Sequence, residues 1–485
     1  MNTRVIQIFF VLAVVGSLAS CKKYLDINHD PNNAVTGDPK TLFSFAIASL
    51  ASNRASGDLF IPMALAGQSQ TSGGFSTGAT SWGTDTEDQY VFTSGNFANI
   101  WTQFYTAVAG NLKKAIDLCE NATPKNENGV AQAKVVLAET FYELTTTYGD
   151  IPFTEALDQS NIAPKFDDQQ TVLEGCLTLL DEAINGFKPD NPFKFDDPDD
   201  MFYKGDIPKW QRLAKSLKLR VLMTMVDRDP SKAAQIGSLV NEGAMIAGPD
   251  DNFQMPFENV AGKRNPKYQV KADYTGDVDF LYASPYVLDY MNDRNDPRLP
   301  FFFDKPAGAS SYHAVSAGAN ADDAVDAKIA YTLHSPTEPE CIFSFQELLF
   351  YEAEIFQRGL GVTKDISRAN QFYKQALAES AIYFGVEQSE AHNFAATIPD
   401  LTNATGLADI NYQHWIDKFD RGIDAFIQWR RSGAEGSETP ALTVPNGAHA
   451  TKLFRRYQYP ESVELSSNPN APAMIPFTEK VWFDL

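Results

Sequence analysis

Gly74-Phe75-Ser76-Thr77-Gly78 spells the G-x-S-x-G of a serine nucleophile, whose hydroxyl must stand on a sharp turn between a buried strand and a helix. The residues on both sides are Gly, Ser and Thr, so the segment reads as a polar loop. Asp26, Asn28, Asp30 and Asn32 alternate as the oxygen ligands of a calcium loop do. Pro31 and Gly37 then occupy the places of a turning glycine and a bidentate glutamate, which excludes an EF-hand. Asp196, Asp197, Asp199 and Asp200 form a denser acidic run, read as a solvated loop. His29, His313, His334, His392, His414 and His449 are scattered without an H-E-x-x-H, and no C-x-x-C accompanies them. No catalytic set, metal site or cofactor is expected, and the chain reads as a non-enzyme.

Binding is the chemistry that remains. Two stretches, 66–95 and 243–340, are rich in glycine and aromatic residues and poor in helical periodicity. Aromatic faces on loops held by a rigid scaffold stack on sugar rings or clamp peptide side chains. Trp82 is the leading candidate, because it lies between Gly78 and Gly83 with no helical apolar face to join. Tyr90, Tyr268, Tyr274 and Tyr282 follow it. Trp101 and Trp210 fall on apolar helical faces and are assigned to the core.

Cys21 carries a different chemistry. Arg4 precedes an apolar stretch from Val5 to Ala19, and Leu18-Ala19-Ser20-Cys21 resembles the bacterial lipobox, in which the chain is cut before a cysteine that bears lipid on its sulfur. Residues 1–20 are therefore expected to be a signal peptide and 21–485 a single domain held at the membrane by that lipid alone. Cys119 and Cys176 lie on apolar helical faces, and no disulfide framework is expected. The 40 basic against 62 acidic residues give a net charge of −22, a surface that repels phosphate backbones and excludes nucleic acid as a partner.

The elements that must position these residues are helical. Trp101, Phe104, Tyr105, Val108, Leu112, Ala115 and Ile116 recur at helical spacing, as do Leu137, Phe141, Leu144 and Tyr148 after a loop at 121–129. Further pairs are read at 173–187 with 210–225 and at 345–356 with 369–377, and a last helix, bent near Gly422, over 412–429. Trp210-x2-Leu213-Ala214-x2-Leu217 and Ala369-x3-Tyr373-x2-Ala376 have the small-and-large spacing of tetratricopeptide helices, in degenerate and unevenly placed copies. The predicted fold is all-α: degenerate tetratricopeptide-like pairs with a large irregular half.

A series of short motifs then occurs in one order: Cys21-Lys22-Lys23-Tyr24-Leu25-Asp26, Tyr148-Gly149-Asp150-Ile151-Pro152-Phe153, Pro164-Lys165-Phe166-Asp167, Ser216-Leu217-Lys218-Leu219-Arg220, Asn295-Asp296-Pro297-Arg298-Leu299, Trp429-Arg430-Arg431-Ser432-Gly433 and Arg455-Arg456-Tyr457. In this order they resemble the SusD/RagB-like outer-membrane lipoproteins. The resemblance implies a nutrient-binding protein, exposed on the outer membrane, that delivers an oligosaccharide to a SusC-like TonB-dependent transporter. A helical-repeat scaffold that binds a protein or peptide is the alternative. Trp210, Arg220, Arg298 and Arg430 are read as residues that hold helices and loops together.

Overall fold

Polar side chains placed just ahead of apolar runs start the main helices. Asn126, Asp168, Asp206, Ser344 and Asp365 each accept a hydrogen bond from a first-turn amide, satisfying a donor that the helix itself leaves unpaired. The computed structural model describes residues 37–74, 87–92, 94–158, 160–274, 279–461 and 463–485. Of these, Pro39–Leu485 forms one compact unit.

In chain order the first helices are α1 (Pro39–Arg54), α2 (Phe60–Ala66), α3 (Ser94–Thr102), α4 (Asn111–Asn121), α5 (Glu127–Tyr148), α6 (Gln169–Gly186), α7 (Ile207–Met225) and α8 (Ala233–Glu242). The irregular half contributes the short α9 (Pro266–Gln269), α10 (Pro285–Asn292) and α11 (Leu299–Phe302). The chain closes with α12 (Phe345–Arg358), α13 (Ile366–Tyr383), α14 (Gln388–Thr397), α15 (Gly406–Asp417), α16 (Gly422–Arg431) and α17 (Val463–Ser467). Successive helices pack on one another from α4 to α7 and from α12 to α14, as stacked helical pairs do. Strands are two to four residues long: β1 (Gln70–Thr71), β2 (Phe253–Met255), β3 (Tyr282–Ala283), β4 (Phe303–Asp304), β5 (Lys328–Ile329) and β6 (Glu340–Phe343). They form an antiparallel sheet in the order β1-β3-β5-β4 and a separate β2-β6 pair.

Two helices depart from the periodicity. Between α3 and α4 the residues Gln103–Gly110 run as a π-helical segment, so the apolar face read from Trp101 to Ile116 is shifted part-way along. Trp101 is consequently half-buried, its ring 4.9 Å from that of Tyr105 and 5.1 Å from that of Tyr148. The helix expected over 412–429 is interrupted at 418–421, where Lys418, Asp420 and Arg421 leave the helical path and point into the interior. α16 then begins at Gly422, where an added Cβ would lie 2.7 Å from the Phe60 carbonyl oxygen, so only glycine permits this contact with α2.

The acidic run at 196–200 is also more structural than a solvated loop. Asp196 and Asp199 face Lys40 at 2.8 and 3.6 Å. Asp200 is fully buried and accepts hydrogen bonds from the Trp210 indole at 2.7 Å and the Gly205 amide at 2.8 Å. Cys119, Cys176 and Cys341 are buried and stand outside any disulfide.

Candidate functional site

An ionic layer runs through the centre of the fold. Arg54 of α1 meets Glu143, Glu340 at 3.2 Å and Asp424 at 2.6 Å, and Arg220 of α7 meets Glu139 and the Ile342 carbonyl. Glu347 of α12 accepts from Lys418 at 2.9 Å and Arg421 at 2.7 Å. Buried ions in this number hold their positions only as mutually paired groups, so the layer fixes the helices and loops that supply them. Trp210, Arg220, Arg298 and Arg430 are all buried, as side chains that join helices and loops are.

One corner of that layer reaches the irregular half. Lys267, in α9, is buried and donates to Asp420 Oδ2 at 2.9 Å, with Glu340 Oε2 at 3.1 Å. His334 Nε2 faces the other Asp420 oxygen at 3.3 Å. Lys267 therefore keeps its proton, since the two carboxylates outweigh a burial that on its own lowers the affinity of an ammonium for it. Asn265, also buried, caps α9 through its side-chain oxygen at 2.8 Å and donates to the Glu338 carbonyl at 2.7 Å. Two separate stretches of the irregular half, 265–271 and 331–338, are thus fixed side by side from beneath.

Their upper faces carry aromatic rings. Tyr268 follows Lys267, Tyr331 stands three residues before His334, and the two ring centroids are 6.4 Å apart at 74°. Tyr331 is 47% exposed, one of the most exposed large aromatic side chains described, and Tyr268 is half-buried. The Lys271 ammonium lies 5.0 Å from the Tyr331 ring centre and the Arg264 guanidinium 5.6 Å from that of Tyr268. Beside them Phe60, Val270, Phe280, Leu281 and Ile329 line a narrow cleft of about 20 Å³, room for one water, with Lys271, Asp279 and His334 at its polar edge. The assembly is an aromatic step with cations at its margin and a small apolar recess, a surface suited to a ring-shaped polar ligand.

The aromatic residues expected to bind divide unevenly. Tyr268 lies in this step. Tyr90 is only 2% exposed, its ring among Phe454 and Phe477 at 6.3 and 6.0 Å, so it belongs to the core and offers no face for stacking. Tyr282 is 5% exposed; it sits on β3 and its hydroxyl donates to Asp323 at 2.6 Å, so it too is a packing residue. Both lie next to glycine-rich loops, and it is the burial created by distant chain segments that removes them from the surface. Tyr274 ends the segment Val270–Tyr274, and its side chain is outside the described residues. Trp82, Ser76, Cys21 and the Asp26–Asn32 alternation likewise fall outside them. Tyr331 was not singled out by sequence; the signal available was its position in the 243–340 stretch outside any helical apolar face.

A second concavity, about 1040 Å³, opens over α4, α5 and α6. Its floor includes Tyr105, Phe141 and Phe153, and Lys113, Lys114, Asp117 and Glu120 stand along its edge. Phe153 enters it because residue 175 of α6 is glycine: a Cβ there would lie 2.1 Å from the ring. Among the described residues no helix is long and apolar enough to cross a membrane, and no group of three His, Cys, Asp or Glu side chains is placed to hold a metal ion.

Comparison with known proteins agrees with this architecture. The SusD-like family described as "Starch-binding associating with outer membrane" matches residues 31–460, and the chain belongs to that family. Among solved structures, a chitin-binding protein superposes with a TM-score of 0.77 at 23% identity, over 92% of this chain and 100% of its own. A SusD/RagB family protein from Bacteroides thetaiotaomicron gives 0.75 at 19% identity, over 92% and 99%. A SusD homologue from Parabacteroides distasonis gives 0.74 at 20% identity, over 92% and 98%. At these identities the likeness is one of fold. No curated protein matches the chain significantly by sequence.

Proposed function

We propose that this protein binds an oligosaccharide on the Tyr268–Tyr331 step and passes it to a SusC-like TonB-dependent transporter, held at the outer membrane, facing outward, by lipid on Cys21. The observation that carries the binding reading is the exposed Tyr331 ring beside Tyr268, on two stretches whose undersides are tied to one buried carboxylate. A fixed aromatic face meets the apolar side of a sugar ring with little ordering cost, and the nearby charged groups and backbone orient its hydroxyls. Membership of a family described as starch-binding, and a fold shared with a chitin-binding protein, favour a carbohydrate over other nutrients. The chain then acts as a binding protein and not as an enzyme, and Trp82, Tyr268 and Tyr274 are proposed ligand contacts from the sequence pattern.

The test is titration calorimetry of the mature chain against a panel of oligosaccharides, with Tyr331→Ala as the discriminating variant. Loss of affinity in that variant, at an unchanged melting temperature, supports the step as the binding surface. Unchanged affinity removes it. Transporter delivery is tested by purification from detergent-solubilised outer membranes, where a TonB-dependent barrel should accompany the tagged protein and repeated recovery of the chain alone opposes the proposal. The groove over α4 to α6 favours a second reading, a scaffold whose helical pairs hold a peptide or protein segment. Binding of peptide panels, lost on filling the groove by Gly175→Leu, would support it.

A further inference from the structure

The charges around the aromatic step are unevenly matched. Lys263, Arg264, Lys267 and Lys271 bring four cations into nine residues of a chain whose net charge is −22. Three of the four have carboxylate partners: Lys263 with Glu258 at 3.3 Å, Lys267 with Asp420 and Glu340, and Lys271 with Asp279 at 2.5 Å. Asp304, near Tyr331, accepts the Tyr331 amide at 3.1 Å. Burial and the neighbouring Asp420 bring the Glu338 carboxyl up to about 7, so at neutral pH it is only partly charged.

Arg264 differs from the others. Among the described residues its guanidinium has neither an ion pair nor a side-chain hydrogen bond, and it lies against the Tyr268 ring, half-buried, with Nε closed off from water and unpartnered. A half-buried guanidinium beside an aromatic ring has already lost part of its hydration and rotamer freedom. An incoming anion then gains paired, charge-assisted hydrogen bonds without the full cost of ordering the side chain.

Resting on the binding reading above, we infer that the ligand is an anionic oligosaccharide: one whose carboxylate or sulfate group pairs with Arg264 while a sugar ring lies on Tyr331. A neutral glycan leaves Arg264 without the partner that the other three cations of this segment already have. The two terminal nitrogens of the guanidinium can present parallel donors to two oxygens of one anionic group, whereas Lys271, at the Tyr331 end, is already paired with Asp279. Specificity for charge and affinity for the ring thereby fall on different residues.

The experiment uses the mature chain and two matched ligand pairs that separate the sources of charge: oligogalacturonate against its methyl ester, and a sulfated galactan oligosaccharide against its desulfated form. In one pair the charged member should bind at least about tenfold more tightly than its neutral counterpart, the difference expected for a charge-assisted pair. Arg264→Gln should erase that ratio, Arg264→Lys should restore part of it, and Tyr331→Ala should weaken both members alike. The melting temperature of each variant establishes that it is folded. Equal affinity within both pairs, with Arg264→Gln silent, overturns the anionic assignment and leaves the aromatic step standing. Binding of neutral starch or chitin oligosaccharides alone does the same. Binding of acidic peptides with no oligosaccharide bound overturns both the assignment and the carbohydrate reading.

Discussion

Lys267 donates to both the side chain and the main-chain carbonyl of Asp420, at 2.9 and 2.7 Å, across 153 residues of sequence. With His334 on the other carboxylate oxygen, Asp420 is shared by the two stretches that carry the aromatic step. Removing the ammonium leaves Asp420 and Glu340 facing each other in the interior. Lys267→Met is expected to lower stability by about 3–5 kcal/mol, as loss of one partner from a buried ion pair does. Urea denaturation measures it, and a change below about 1 kcal/mol would mean that the pairing contributes little to holding this corner together.

The tyrosines separate by burial. Tyr331→Ala removes an exposed ring and is expected to change stability by no more than about 0.5 kcal/mol, whereas Tyr90→Ala empties a core site and is expected to cost about 3–5 kcal/mol. Ligand affinity should follow the opposite order once corrected for folding. Thermal melts and calorimetric titration of the two variants give both readings, and equal destabilisation would contradict the assigned positions.

Acid should weaken the central layer. Burial alone would raise the Glu347 carboxyl, but Lys418 and Arg421 outweigh it and hold the group at about 2, below the ordinary 4.5. Its folded value is depressed, so its contribution, on the order of 3 kcal/mol, is fully present above pH 4.5 and is lost as pH falls from there toward 2. Urea midpoints of the native chain should therefore decline through that window. In Glu347→Gln, less stable at neutral pH, the decline should be shallower; an identical slope would assign the acid response to other carboxylates.

Cys21→Ala should release the protein from the membrane fraction. Among the described residues no helix is long and apolar enough to cross a bilayer, and lipid on Cys21 is the anchor proposed above. Fractionation of cells expressing the variant, with circular dichroism to verify the helical body, checks it. Retention of a folded variant in the membrane would require another means of attachment.

The helical body was legible because its signals are local. The apolar period of 210–225, Pro208 at its start and the Asp206 cap all lie within one stretch of chain, and α7 forms there. The ordered motifs were legible for the same reason, since each spans a few residues, and they led to the family that the 31–460 match establishes. The π-helical segment at 103–110 and the break at 418–421 were less so, because each trades local periodicity for contacts made elsewhere in the fold.

The candidate site had no such local signal. Sequence alone marks Tyr90, Tyr268 and Tyr282 equally, as tyrosines near glycine-rich loops, and passes over Tyr331. Phe454 and Phe477, more than 350 residues from Tyr90, decide that it is core. Asp420 likewise decides that Tyr268 and Tyr331 are neighbours. The sequence by itself determined helix type and family membership, which follow from periodicity and contiguous motifs. Which rings face outward, and which of the four described cations of 263–271 lacks a carboxylate, were decided by the tertiary structure, because exposure and pairing depend on segments that only folding brings together.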